Sequence, residues 1–229
     1  MFFYDNYYLL LVVPAIIISL FAQTKVKSAY AKYSQVLSRN GKTATEITRA
    51  ILDMNGLQNV RIEQIAGSLS DHYDPRTNVI RLSDSVRSDV SVASIGVAAH
   101  EAGHAVQYAI GYGPIKARNA FLPVANLGSK LSIPLILLGI IMSVQPLVSI
   151  GILLFSFVLV FQIITLPVEF DASRRALKTL SENGILQGEE LLGAKKVLSA
   201  AAMTYVAAAL VSAVQLLRLV LINNKRSQR

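Results

Sequence analysis

His100, Glu101 and His104 stand in the pattern His-Glu-x-x-His, within Val97-Ala98-Ala99-His100-Glu101-Ala102-Gly103-His104-Ala105-Val106-Gln107. On a helix the two histidines share a face, so both imidazoles can converge on one ion while Glu101 points beside them. Zinc takes nitrogen, oxygen or sulfur ligands at about 2.0–2.3 Å, and a hydrolytic site leaves one position for water. A carboxylate next to that water, itself not bound to the metal, can take its proton. The chemistry implied is metal-assisted hydrolysis with Glu101 as general base. The chain has three histidines, and a shuffled sequence would produce the pattern roughly once in a thousand trials.

Two histidines do not complete such a site. The chain has no cysteine, which excludes disulfides and thiolate metal sites and leaves His, Asp and Glu as ligands. The candidates for the third are His72, Asp74, Glu169 and Asp171. Glu169 is preferred for its place, directly after an apolar stretch and on the side where the motif is expected. A carboxylate beside hydrocarbon needs a partner, which a metal supplies. The competing reading is an ion pair with Arg174, Arg175 or Lys178.

The elements that must hold these residues follow from composition. Of 229 residues, 53% are hydrophobic, and the mean hydropathy of +0.48 exceeds soluble averages, which points to a mainly α membrane protein. The net charge of +8 is not interleaved with aromatics as in a nucleic-acid module, so no nucleic-acid partner is expected. Orientation in a lipid bilayer accounts for it. Residues 1–24 read as an N-terminal transmembrane helix, expected to be retained because no basic residue precedes the apolar run.

Residues 25–130 carry 13 Lys and Arg against 8 Asp and Glu and read as a lobe outside the hydrocarbon. There Thr43-x-x-Glu46 is a capping box for a helix over 47–54, which Asn55-Gly56 ends. Alternation at 60–65 and 78–82 predicts two short strands, paired as a ribbon, with turn-rich sequence between them. Ser88 or Asp89 can cap the motif helix, expected over about 90–110.

Residues 131–166 predict a transmembrane hairpin, broken at Gln145-Pro146. Residues 167–199 resume a charged helix and connector. Residues 200–222 form an apolar helix, spanning or interfacial, and 223–229 a basic tail, for three to four transmembrane helices in all. Basic residues place the lobe and Glu169 together on the cytoplasmic side, in a bacterial cell membrane.

The chain resembles the YugP-type membrane zinc metallopeptidases, relatives of the HtpX and CAAX-prenyl protease group of gluzincins. The resemblance is carried by Ser70-Asp71-His72-Tyr73-Asp74-Pro75-Arg76, by Ala99 to Gln107, and by Leu166-Pro167-Val168-Glu169-Phe170-Asp171-Ala172-Ser173. It implies a zincin-like catalytic domain with one zinc ion on His100, His104 and Glu169, Glu101 as base, and a protein or peptide substrate. In the wider group the ligand Glu is followed three positions on by Ala and four on by an Asp that steadies a zinc-bound imidazole. Ala172 fits and Ser173 departs, while Asp171 lies roughly 200° round a helix from Glu169 and is no simple substitute.

Related peptidases hold substrate against an edge strand, a role that would fall to Asn78, Val79 and Ile80, unless that strand merely covers the core. His72 and Tyr73 can donate to an oxyanion or, alternatively, serve as locally satisfied turn residues. Competing functions are an intramembrane protease of the site-2 type and a membrane scaffold or chaperone with a structural metal site. The oligomeric state is not legible.

Overall fold

The computed structural model describes residues 6–227. The first five residues of the expected N-terminal span and Gln228 and Arg229 of the basic tail lie outside the described residues. A π-helical turn, Tyr8–Val12, leads into α1 (Val13–Tyr33). Then follow α2 (Ala44–Met54), β1 (Arg61–Ile65), β2 (His72–Asp74), β3 (Val79–Ser83), α3 (Val92–Ala109), α4 (Gly113–Ile141), α5 (Gln145–Glu182) and α6 (Gly188–Ser227). The chain divides into two compact units. One comprises Thr24–Ile115 with Val168–Ala202; the other comprises Lys116–Pro167, the described residues up to Gln23, and those from Met203 onward.

Among the described residues, four helices are long and apolar enough to cross a membrane: Tyr8–Tyr33, Gly113–Ile141, Gln145–Glu182 and Gly188–Lys225. The apolar run up to Leu166 and the charged helix that follows it form one continuous element, α5. Pro167 lies inside α5, as Pro123 and Pro134 lie inside α4, because apolar helices tolerate proline where neighbouring groups satisfy the freed carbonyls. α4 and α5 approach through small residues. A Cβ on Gly151 would stand 2.8 Å from the Ser132 carbonyl, and one on Gly128 would collide with the Leu154 carbonyl. Helices in lipid associate through such close backbone contact rather than through hydrophobic burial.

The unit that carries the motif contains a three-stranded sheet in the order β1-β3-β2. β1 and β3, the two strands expected from alternation, do not form a ribbon. They run parallel, with Arg61 opposite Val79 and Ile65 opposite Ser83. The hairpin is instead β2 with β3, antiparallel, with Tyr73 opposite Ile80. The cause is Asp74, whose carboxylate accepts from the Arg76 N–H at 2.9 Å and the Thr77 hydroxyl at 2.8 Å. These bonds hold its pKa down at about 2. They confine the turn to the residues after Asp74 and release His72 and Tyr73 into a strand. Asn78 closes the turn at φ 55°, a left-handed conformation that asparagine tolerates.

The local signals for helices hold where the chain can satisfy them by itself. The Thr43–Glu46 capping box is formed and α2 starts directly after it. The cap of α3 is Ser91, not Ser88 or Asp89, and its hydroxyl accepts from the Ser94 N–H. Asp89 instead braces Ser91, accepting from its hydroxyl at 2.5 Å. One core joins α2, the sheet, α3, α5 and α6 through buried Ile47, Leu52, Ile80, Leu82, Ile95 and Leu180, among others.

α3 presents small residues, Ala98, Ala99, Ala102 and Gly103, all buried, and so admits neighbours closely. At Gly103 the approach is closest: a Cβ there would lie 2.7 Å from the Ala172 carbonyl of α5. Gly103→Ala is therefore expected to destabilise the folded chain by about 1–3 kcal/mol through overpacking. Thermal unfolding in detergent checks this against Gly113→Ala, where a Cβ would meet nothing within 4 Å and stability should stay unchanged.

Candidate metal centre

α3 carries His100 and His104 one turn apart, their rings edge-to-face with centroids 4.6 Å apart. α5 brings Glu169 to them. Its Oε2 stands 3.3 Å from His100 Nε2 and 3.6 Å from His104 Nε2. One ligand atom from each residue lies within 4.8 Å of the others. Two ligands bound at about 2.05 Å to a tetrahedral centre are separated by about 3.3–3.4 Å, so these spacings suit one zinc ion. Two imidazoles and a carboxylate are also a donor set used by catalytic zinc. Glu169 is 4% exposed, which removes solvent competition for its oxygens.

The basic residues considered as partners for Glu169 are engaged elsewhere on α5. Arg175 Nε bonds Asp171 at 2.6 Å, Arg174 lies 3.9 Å from Asp171, and Lys178 pairs with Glu182 at 3.8 Å. Of the other candidate ligands, Asp74 is bound into its turn. His72 lies in β2 with Nδ1 2.9 Å from the Ser70 carbonyl and Nε2 3.5 Å from the Arg81 guanidinium. The Tyr73 hydroxyl donates to Asn78 Oδ1 at 2.9 Å. Burial, with Tyr108 and Asp74 nearby, raises the Tyr73 phenol above its ordinary pKa and keeps it protonated. The side chains of His72 and Tyr73 are thus satisfied locally.

The Tyr73 backbone does reach the centre. Its N–H donates to Glu101 Oε2 at 2.9 Å, which fixes one carboxylate oxygen and leaves the other open to a proton. β2 is an edge strand, whereas β3 has neighbours on both sides. The edge role expected of Asn78, Val79 and Ile80 therefore does not fall to β3. Val79 and Ile80 are fully buried in the central strand, and the strand open beside Glu101 is β2.

Both imidazoles are also held from behind. Ser173, on the same face of α5 as Glu169, places its hydroxyl 3.1 Å from His100 Nδ1. His104 Nδ1 lies 3.0 Å from Gln107 Oε1. Sequence reasoning named Ser173 and missed Gln107, although its spacing of three residues from His104 puts both on one helical face.

Residues 8–224 match a family described as "Putative neutral zinc metallopeptidase". A relative from Bacillus subtilis strain 168, named "Putative membrane protease YugP", is 46% identical over 215 residues, covering 94% of this chain and 96% of the relative. No solved structure matches. If Glu169 completes the metal site, Glu169→Ala purified in detergent should lose most of its bound zinc while Arg174→Ala keeps it. Near-normal metal content in Glu169→Ala would remove Glu169 from the ligand set.

Proposed function

The chain belongs to the neutral zinc metallopeptidase family, and from that premise we propose that it is an integral membrane endopeptidase that hydrolyses peptide bonds of protein substrates. The observation that carries the reading is the convergence of His100 Nε2, His104 Nε2 and Glu169 Oε2 beside a Glu101 carboxylate oriented by a backbone donor. A zinc ion held by the three would supply Lewis acidity to a peptide carbonyl and to the attacking water.

The chain's own residues supply the rest. Glu101 takes a proton from the attacking water and later delivers it to the leaving amine nitrogen, so the carboxylate returns to its starting state. The Tyr73 N–H keeps that carboxylate aimed throughout. The open side of β2 suits an extended substrate segment aligned by backbone hydrogen bonds next to Glu101, with selectivity left to side-chain pockets.

A site-2-type intramembrane reading finds less support. α3 is not among the four described helices that qualify as membrane spans, and it belongs to the unit with the sheet. A scaffold with a structural metal has no use for a positioned base at Glu101. Fifteen of the 22 Lys and Arg fall in 24–115 and 168–202, which supports a cytoplasmic placement of that unit in a bacterial cell membrane. With four spans the basic tail lies on the other side, outweighed by the fifteen.

Glu101→Gln is expected to bind zinc as the wild type does and to lose cleavage of unfolded protein substrates by about 10²–10⁴-fold; equal activity in the two would remove Glu101 as base. The lack of cysteine permits a clean topology test. A single cysteine at Ser143 should react with an impermeant maleimide in intact cells, and one at Lys42 after permeabilisation alone. The reverse pattern would place the site outside.

A further inference from the structure

Gln107 is fully buried and its amide is committed on every side. Its nitrogen donates to the Val168 carbonyl and to Asp171 Oδ2, both at 2.9 Å, and each of these groups can only accept. Turning the amide over would set its oxygen against two acceptors in a site shut off from water, at the full desolvation penalty. The orientation is thereby settled by the network: Oε1 faces His104 Nδ1. An acceptor there calls for the proton on Nδ1, which leaves the Nε2 lone pair directed to the side where Glu169 Oε2 stands.

We propose that Gln107 and Asp171 are positioning residues for the metal site, a relay in which the Asp171 carboxylate acts on His104 through the Gln107 amide. The proposal rests on reading His104 as a zinc ligand. Arg175, at 2.6 Å, anchors the Asp171 end and itself lies 5.7 Å from the Tyr112 ring centroid. The position of Asp171, two residues beyond Glu169, explains the detour. Ser173 faces His100 directly from the same side of α5 as Glu169, whereas Asp171 points to another side and needs an intermediary on α3. The carboxylate support at this site thus goes to His104, and His100 rests on a hydroxyl.

The two supports differ in character. The Ser173 hydroxyl can rotate and can donate or accept, so it accommodates either tautomer of His100. The amide relay accommodates one tautomer of His104. Groups of this kind fix ring orientation and raise ligand basicity, and their loss commonly costs about 10–100-fold in metal affinity.

The test is zinc affinity of the full chain in detergent, by competition with a chromophoric chelator, together with the visible spectrum of the cobalt(II)-substituted protein. Gln107→Leu and Asp171→Ala should each weaken zinc binding by about 10–100-fold and alter the cobalt bands. The double variant should be little worse than either single one, because the two act as one relay. A Gln107→Leu protein that is folded by circular dichroism, binds zinc within about twofold of wild type and shows unchanged cobalt bands would overturn the proposal, since 10–100-fold is what loss of such a support costs. So would additive losses in the double variant.

If Gln107→Leu does not fold, Asp171→Asn decides. It keeps the shape and removes the charge, and unchanged zinc affinity in it overturns the relay. A wild-type chain that binds zinc but cleaves nothing would sink the peptidase reading alone. A wild-type chain with no zinc affinity would sink the relay with the metal site.

Discussion

Helices α3 and α5 meet where Gly103 has no side chain, and the Ala172 carbonyl occupies the space a Cβ would need. The rest of the centre depends on that approach. With the helices this close, Glu169 stands within 3.6 Å of both imidazoles, Ser173 reaches His100, and Gln107 reaches across to Val168 and Asp171. A larger residue at 103 would open all of these distances together, because they lie on the same two rigid elements. The alanines of α3 serve the same end, since they allow it to be enclosed by α2, the sheet and α5 at once.

The sheet makes a different contribution. Its core strand β3 is buried between two neighbours, and its short edge strand β2 turns a backbone N–H to Glu101. A backbone donor within a strand cannot rotate away as a side chain can, so the Glu101 carboxylate is aimed by the fold itself. The turn after Asp74 sets the register of β2 against β3, and through it the location of the Tyr73 N–H. An aspartate of the turn is in this way connected to the geometry of the Glu101 carboxylate through its chain neighbour Tyr73.

Features encoded in contiguous residues could be read from the chain alone. The His-Glu-x-x-His face, the Thr43 capping box and the apolar runs are local patterns, and each has its expected counterpart in the structure. Glu169 was suggested by its place after an apolar run, and the structure brings it to the two histidines. What could not be read depends on partners distant in sequence. His72 and Tyr73 look like turn residues because nothing nearby shows that β3 will pair with them. β1 and β3 look like a ribbon because alternation carries no direction. Ser91 outcompetes Ser88 and Asp89 as a cap because Asp89 bonds to it. Gln107 looks like one more polar residue on a helix until Asp171, 64 positions later, is set beside it. The break read at Gln145-Pro146 is where α4 ends and α5 begins, whereas nothing in the chain signalled that α5 would run unbroken through Pro167.

The unit that holds the centre is built from two stretches of chain, Thr24–Ile115 and Val168–Ala202, with the apolar hairpin between them. Synthesis therefore delivers the parts in a fixed order. The ribosome completes His100, Glu101 and His104 first and must then make α4 and the apolar part of α5 before Glu169, Asp171 and Ser173 exist. At roughly 5–20 residues per second the interval is about 3–13 seconds. During it His100, Glu101 and His104 are present without Glu169, Asp171 or Ser173 from α5. Completion of the centre is thus timed by the emergence of the hairpin, so a nascent chain cannot bring Glu169 to His100 and His104 before most of its long apolar helices have been made.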